Sequence, residues 1–165
     1  MFHILIKVNE KELSEKKRRN KYIASEWIEG RLFFYDDNTP LRTDIKGQPI
    51  GEGNLLVYDI SALLTASTDL FLDKSDEHYF VGEVINFKLN PAGNKIEFVL
   101  IDSSMKKIRA TFNINRKEFF SAVLSISNEI LEIIEKADKK LLADEVVTEI
   151  IRKKEKLKQL CQGEL

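Results

Sequence analysis

Apolar and polar positions alternate over residues 2–8, where Phe2, Ile4, Ile6 and Val8 share one face. A period of two predicts a strand. This apolar N-terminus lacks a basic leader and a small-residue cleavage site, so it reads as a first strand, not a signal peptide. The charged stretch 9–21 reads as a loop or a short solvated helix. Residues 22–35 (YIASEWIEGRLFFY) are rich in aromatic and β-branched side chains, which favour a pleated surface. They predict one long strand, or two strands broken near Gly30, with Trp27 at the core or its rim. Over residues 55–73 the spacing changes. Leu56, Ile60, Leu63, Leu64, Ser67 and Leu70 or Phe71 recur at helical intervals, so this segment is a helix with a buried stripe.

Three further strands are predicted over 78–89, 95–102 and 106–114. Ile108, Ala110, Phe112 and Ile114 alternate with Arg109, Thr111 and Asn113, giving one buried face and one wet face. Matching apolar partners across the strands pairs Leu89 with Ile96, Phe87 with Phe98 and Ile85 with Leu100, around a turn at Ala92–Gly93. The next hairpin then pairs Leu100 with Ile108 and Phe98 with Ala110. These registers set Glu83 opposite Asp102, and Asp102 opposite Lys106. Adjacent carboxylates raise one pKa or recruit a cation. That row is a candidate acid/base pair or metal site, weighed against an ordinary polar strand end.

Asn115 caps the next helix, with Glu118 as its capping-box partner. On a helical wheel Phe119, Val123, Ile126, Ile130, Ile134, Ala137 and Leu141 form one stripe. Leu142, Val146, Ile150, Leu157 and Leu160 form another, roughly 140° away. One straight helix cannot turn both stripes to one sheet. Either the helix breaks near Asp138–Lys140 and folds back, or it runs on and presents its second stripe to a partner. Asp138 as a helix cap favours the break.

The predicted fold is α+β: an antiparallel sheet of five or six strands, packed by a central helix and by a long C-terminal helix or helical hairpin. The expected division is an α+β domain over 1–137 and a C-terminal helix over 138–165, docked on the domain or extended toward a partner.

Composition changes this picture little. The chain has 165 residues, 43% hydrophobic and 32% charged, a globular balance with a net charge of −1. The charge is unevenly spread. Residues 11–21 hold six Lys/Arg against two Glu, and residues 152–158 hold five against one. Between them, residues 22–110 hold nine Lys/Arg against fourteen Asp/Glu. A single cysteine, Cys161, cannot form an internal disulfide, which with the lack of a spanning segment points to a cytoplasmic protein.

Candidate chemistry is sparse. His3, His78 and Cys161 are too few and too scattered for a structural zinc site. The loop 36–54 carries glycines at 47, 51 and 53 but lacks the Lys-Ser/Thr ending of a phosphate loop. No cofactor or metal is expected. The leading reading is a small non-enzymatic binding protein acting through protein–protein contact, of the inhibitor or toxin-neutralising (immunity-like) kind. Its partner is another protein or a second copy. The residues assigned to that contact are Asp69, Asp73, Asp76 and Glu77, aimed at a basic partner, and Val146, Ile150, Leu157 and Leu160 on the last helix. Two alternatives stand beside it: a nucleic-acid-associated module using segments 11–21 and 152–158, which the net charge disfavours, and a metal-dependent enzyme using Glu83 and Asp102.

Overall fold

The computed structural model describes residues 1–12, 14 and 28–163. Trp27, the stretch 22–27 of the second predicted strand and most of the basic run 11–21 lie outside the described residues. The strands form two antiparallel sheets rather than one. The first orders β1 (Phe2–Val8), β2 (Gly30–Asp36) and β3 (Thr39–Pro40) side by side. The second orders β4 (Glu77–Tyr79), β5 (Ile85–Ala92), β6 (Lys95–Asp102) and β7 (Lys107–Asn115).

This corrects the expected single sheet of five or six strands, and the loop 36–54 supplies the reason. It folds back on the free side of β2. The Leu32 N–H donates to the Glu52 carbonyl at 2.9 Å and the Leu32 carbonyl accepts the Glu52 N–H at 2.8 Å, while the Leu41 N–H donates to the Phe34 carbonyl. With that edge of β2 filled, the first sheet cannot grow into the second. The loop is also not structureless. Thr43 and Pro49 bridge, and the Asp44 carboxylate accepts the N–H groups of Lys46 and Gln48 to form the tip.

Helix α1 (Leu56–Phe71) buries Leu56, Ile60, Leu63 and Leu64 completely, which is the predicted stripe. Helix α2 (Arg116–Ala137) begins at Asn115, whose side chain accepts the N–H groups of Lys117 and Glu118. Glu118 does not close the predicted capping box on Asn115. Its carboxylate instead accepts the N–H of Phe2 at 2.8 Å, tying β1 to the helix. An aromatic cluster joins the layers. Phe98 lies 5.1 Å from Phe34 of the first sheet and 6.0 Å from Phe119 of α2, and Phe2 stacks on Phe119 at 5.6 Å.

The C-terminal segment breaks at Asp138, as its capping chemistry predicts. Asp138 leaves helical geometry, and its side chain accepts the Lys140 N–H as a 3₁₀ turn (Lys139–Ala143) begins. Helix α3 (Glu145–Gly163) then folds back against α1 and α2. Val147, Ile150 and Leu157 have no solvent exposure, at roughly 1.5–3 kcal/mol of burial each. Lys153 Nζ donates to Ser61 Oγ at 2.8 Å and Lys154 Nζ to Asn128 Oδ1 at 3.1 Å, fixing the helix at its rim. The two apolar stripes are thus both covered by this chain itself. Val147, which is not part of the predicted stripe, is sealed with it.

Both hairpin registers are slid by two residues from the predicted ones. Leu89 faces Phe98, Phe87 faces Leu100 and Ile85 faces Asp102. The turn decides this. In a two-residue hairpin the first central residue takes a positive φ. The predicted turn put Ala92 there; the observed one puts Gly93 there, at φ +66°. A slip of two keeps the faces, so the apolar side stays inward. In the next hairpin Leu100 faces Ala110 and Phe98 faces Phe112, again two residues from the prediction. A bulge between Leu100 and Ile101 then leaves Arg109 unpaired and sets Ile108 opposite Ile101. Ile108, expected on the buried face, is therefore turned outward and is 61% exposed.

Candidate binding surface

The corrected register dissolves the predicted carboxylate row. Asp102 faces Ile85 and Lys107, and its side chain is claimed by the β6–β7 turn. Ser104 Oγ donates to it at 2.6 Å, Arg109 donates through Nε and Nη2, and the Met105 N–H donates at 3.0 Å. These bonds, Ser104 first and then Arg109, hold the Asp102 carboxyl well below the usual carboxylate range. Glu83 lies before β5 and pairs with Arg31 of β2. The two carboxylates serve separate cations, and they do not form the shared acid/base or metal site considered from sequence. Among the described residues no group of three or more His, Cys, Asp and Glu is placed to hold a metal ion.

The structure instead reveals a buried carboxyl that pattern reading passed over. Asp59 sits in the first turn of α1 with no solvent exposure. Its Oδ2 accepts the Asn54 N–H at 2.9 Å and its Oδ1 the Val81 N–H at 2.7 Å. One side chain thus joins the end of the 36–54 loop, the start of α1 and the turn before β5. Burial pushes its pKa up to about 7 against those amide hydrogen bonds, with Glu83 adding to the rise. Beside it, Glu52 pairs with Arg42, and burial raises its pKa as well.

Gly53 closes this arrangement. It has φ +78°, and a Cβ there would collide with the Asp59 carboxylate. Gly53→Ala is expected to cost about 2 kcal/mol or more, from left-handed strain plus the clash. The urea midpoint of the variant measures it; an unchanged midpoint would show that the loop relaxes freely. The signal for this role was in the sequence, as the glycines of GEGN eight and six residues before Asp59, but only the tertiary contact to Val81 discloses it.

The acidic residues assigned to a partner lie together where α1 ends and β4 begins. Asp69 is half-buried, with its Oδ2 3.7 Å from His78 Nε2. Asp73, Asp76 and Glu77 are exposed, and Glu77 accepts a hydrogen bond from Asn86 Nδ2 at 2.6 Å. Burial lowers the His78 pKa, so at pH 7 its imidazole adds no positive charge to offset Asp69 beside it. The last turn of α1 contains no basic residue, so its C-terminal carbonyls add partial negative charge. Lys74 is exposed here, whereas Arg116, stacked over Phe71 and Phe120, and Lys153 are half-buried. Two apolar side chains stand among these acids: Leu72 is 51% exposed and Tyr79 67%.

The aliphatics assigned to a partner on the last helix are placed differently. Ile150 and Leu157 are sealed against the protein's own helices, and Val146 and Leu160 are half-buried. As folded, this stripe is interior rather than surface. The basic run 152–158 is also locally engaged: Arg152 bonds to Glu149, Lys153 to Ser61 and Lys154 to Asn128. No helix among the described residues is long and apolar enough to cross a membrane. Comparison with known proteins returns no matching family model, no matching curated protein and no matching solved structure.

Proposed function

We propose that the protein is a non-catalytic binding protein that acts by protein–protein contact, in the manner of an inhibitor or neutralising partner of a basic target. The observation that carries this reading is the corner formed by residues 69–79. Three exposed carboxylates, Asp73, Asp76 and Glu77, surround the exposed Leu72 and Tyr79 next to an uncompensated helix C-terminus. Protein interfaces combine apolar or aromatic anchors with a complementary charged rim, and the charge mainly steers the encounter. The alternative metal-dependent reading loses its geometric basis with the separation of Glu83 and Asp102. For nucleic acid, the run 152–158 has Arg152 engaged by Glu149 and Lys153 by Ser61 of α1, and the net charge of −1 gives no general attraction to a polyanion.

The test is a comparative pull-down from the native host, followed by titration of the purified pair. Wild-type protein is expected to retain a basic protein that the Asp73→Lys/Asp76→Lys variant does not. The measured affinity should fall at least about tenfold, equivalent to 1.4 kcal/mol. Tyr79→Ala should weaken the same complex mainly through faster dissociation. Equal binding of the wild-type and charge-reversed proteins would overturn the assignment of this corner.

A further inference from the structure

We infer that β7 is the seam of a symmetric dimer, in which two copies of the chain pair antiparallel about Thr111 through the β7 edge that no described strand occupies. This goes beyond the acidic corner and uses none of its residues. Among the described strands the other sheet edges are managed. The edge strands β3 and β4 are two and three residues long. β1 is met by α2, with the Phe2 N–H taken by Glu118. β7 is nine residues long and is the terminal strand of its sheet.

The hydrogen-bond phase of β7 follows from the hairpin. Ala92 and Lys95 close a two-residue turn, so the main-chain groups of Lys95 face β5. Alternation turns those of Ile96 toward β7, where its partner is Ile114. The Arg116 N–H bonding to the Asn94 carbonyl at 3.0 Å lies in the same phase. Counting back, Phe112 and Ala110 face β6, while the N–H and C=O of Asn113 and Thr111 point away from the sheet. Both residues are exposed.

Thr111 is the midpoint of Lys107–Asn115. A two-fold axis through it therefore overlaps the strands to the greatest extent, and the Thr111 groups of the two copies bond to each other. The same axis sets Arg109 opposite Asn113, and Lys107 opposite Asn115, so no like charges face across the seam. Threonine opposite threonine is a favourable cross-strand pair. Charged edge residues ordinarily guard against such pairing. Here Arg109 is tied inward to Asp102 through Nε at 3.0 Å and Nη2 at 2.6 Å. The two Lys107 side chains would sit about 26 Å apart along the seam, well beyond a screening length of roughly 8 Å. The bulge at Arg109 confines regular pairing to Arg109–Asn113 of each copy, which makes this a modest interface and a reversible dimer.

The test uses sedimentation equilibrium together with position-specific cross-linking. Wild-type protein is expected to show a concentration-dependent dimer. Thr111→Pro removes an N–H that the monomer's own sheet does not use, so it should weaken dimerisation at least about tenfold with unchanged circular dichroism. In a Cys161→Ser background, Thr111→Cys should form an intermolecular disulfide on mild oxidation, because paired residues of this phase have Cα atoms about 5.5 Å apart. Asn113→Cys, which faces Arg109 across the seam, should not. A wild-type monomer at every soluble concentration would overturn the proposal. So would a dimer indifferent to Thr111→Pro, equal cross-linking at both cysteine positions, or capture of a different chain at this edge in place of a second copy.

Discussion

Replacing Phe98 with alanine is expected to lower the free energy of unfolding by about 3–5 kcal/mol, the range for a fully buried aromatic side chain. Phe98 has no solvent exposure and lies at the meeting point of both sheets and α2. Its ring is within 5.1 Å of Phe34, 5.9 Å of Phe87, 6.0 Å of Phe119 and 6.4 Å of Phe112. Two sheets that share no hydrogen-bonded edge among the described residues depend on such contacts for their relative placement. Truncation there removes apolar burial and leaves a cavity whose walls belong to four separate elements, β2, β5, β7 and α2, which limits how far they can collapse. Urea denaturation measures the loss. Phe98→Leu, which refills much of the volume, should recover more than half of it. If Phe98→Ala unfolded at nearly the wild-type midpoint, the cluster would not be what joins the sheets.

The parts of this fold legible in sequence are those set by local period and local capping. Strict alternation predicts β1 at 2–8, and the strand occupies those residues; β6 likewise occupies its predicted range, 95–102. Asn115 and Asp138 mark helix ends through side-chain oxygens that satisfy nearby N–H groups, and the structure uses both that way. What was not legible depends on which distant segments meet. Filling of the free edge of β2 by Glu52 requires the loop 36–54 to fold back, and no periodicity encodes that return. The register slip has a different origin. Pairing apolar residues cannot distinguish registers two apart, since both keep the same face inward, and the positive φ at Gly93 decides between them. Nothing in the local pattern singles out Asp59, because its donors come from residues 54 and 81.

That same Asp59 gives the fold an unusual dependence on pH. Its folded pKa of about 7 lies above the ordinary value of 3.8, so the folded state binds the proton more tightly than the unfolded state. Stability from this group is therefore fully present below about pH 3.8 and is lost as pH rises through about 7. The difference corresponds to roughly 4 kcal/mol at 1.36 kcal/mol per pH unit. Glu52, raised by burial, acts with the same sign. His78, lowered by burial, acts oppositely, because its neutral form is favoured in the fold and protonation below about 6.5 costs stability. Asp102 also opposes, with a depressed carboxyl whose contribution is present above 3.8 and is lost as pH falls further. Asp59→Asn keeps the shape and leaves those other groups in place, so the comparison of the two proteins isolates the carboxyl. The stability of the wild type relative to Asp59→Asn should fall by roughly 4 kcal/mol between pH 4 and 8, as read from urea unfolding at each pH. Parallel profiles would mean that the amide groups of Asn54 and Val81 hold Asp59 ionised throughout, and that the carboxyl is an anionic clasp for the loop rather than a protonated one.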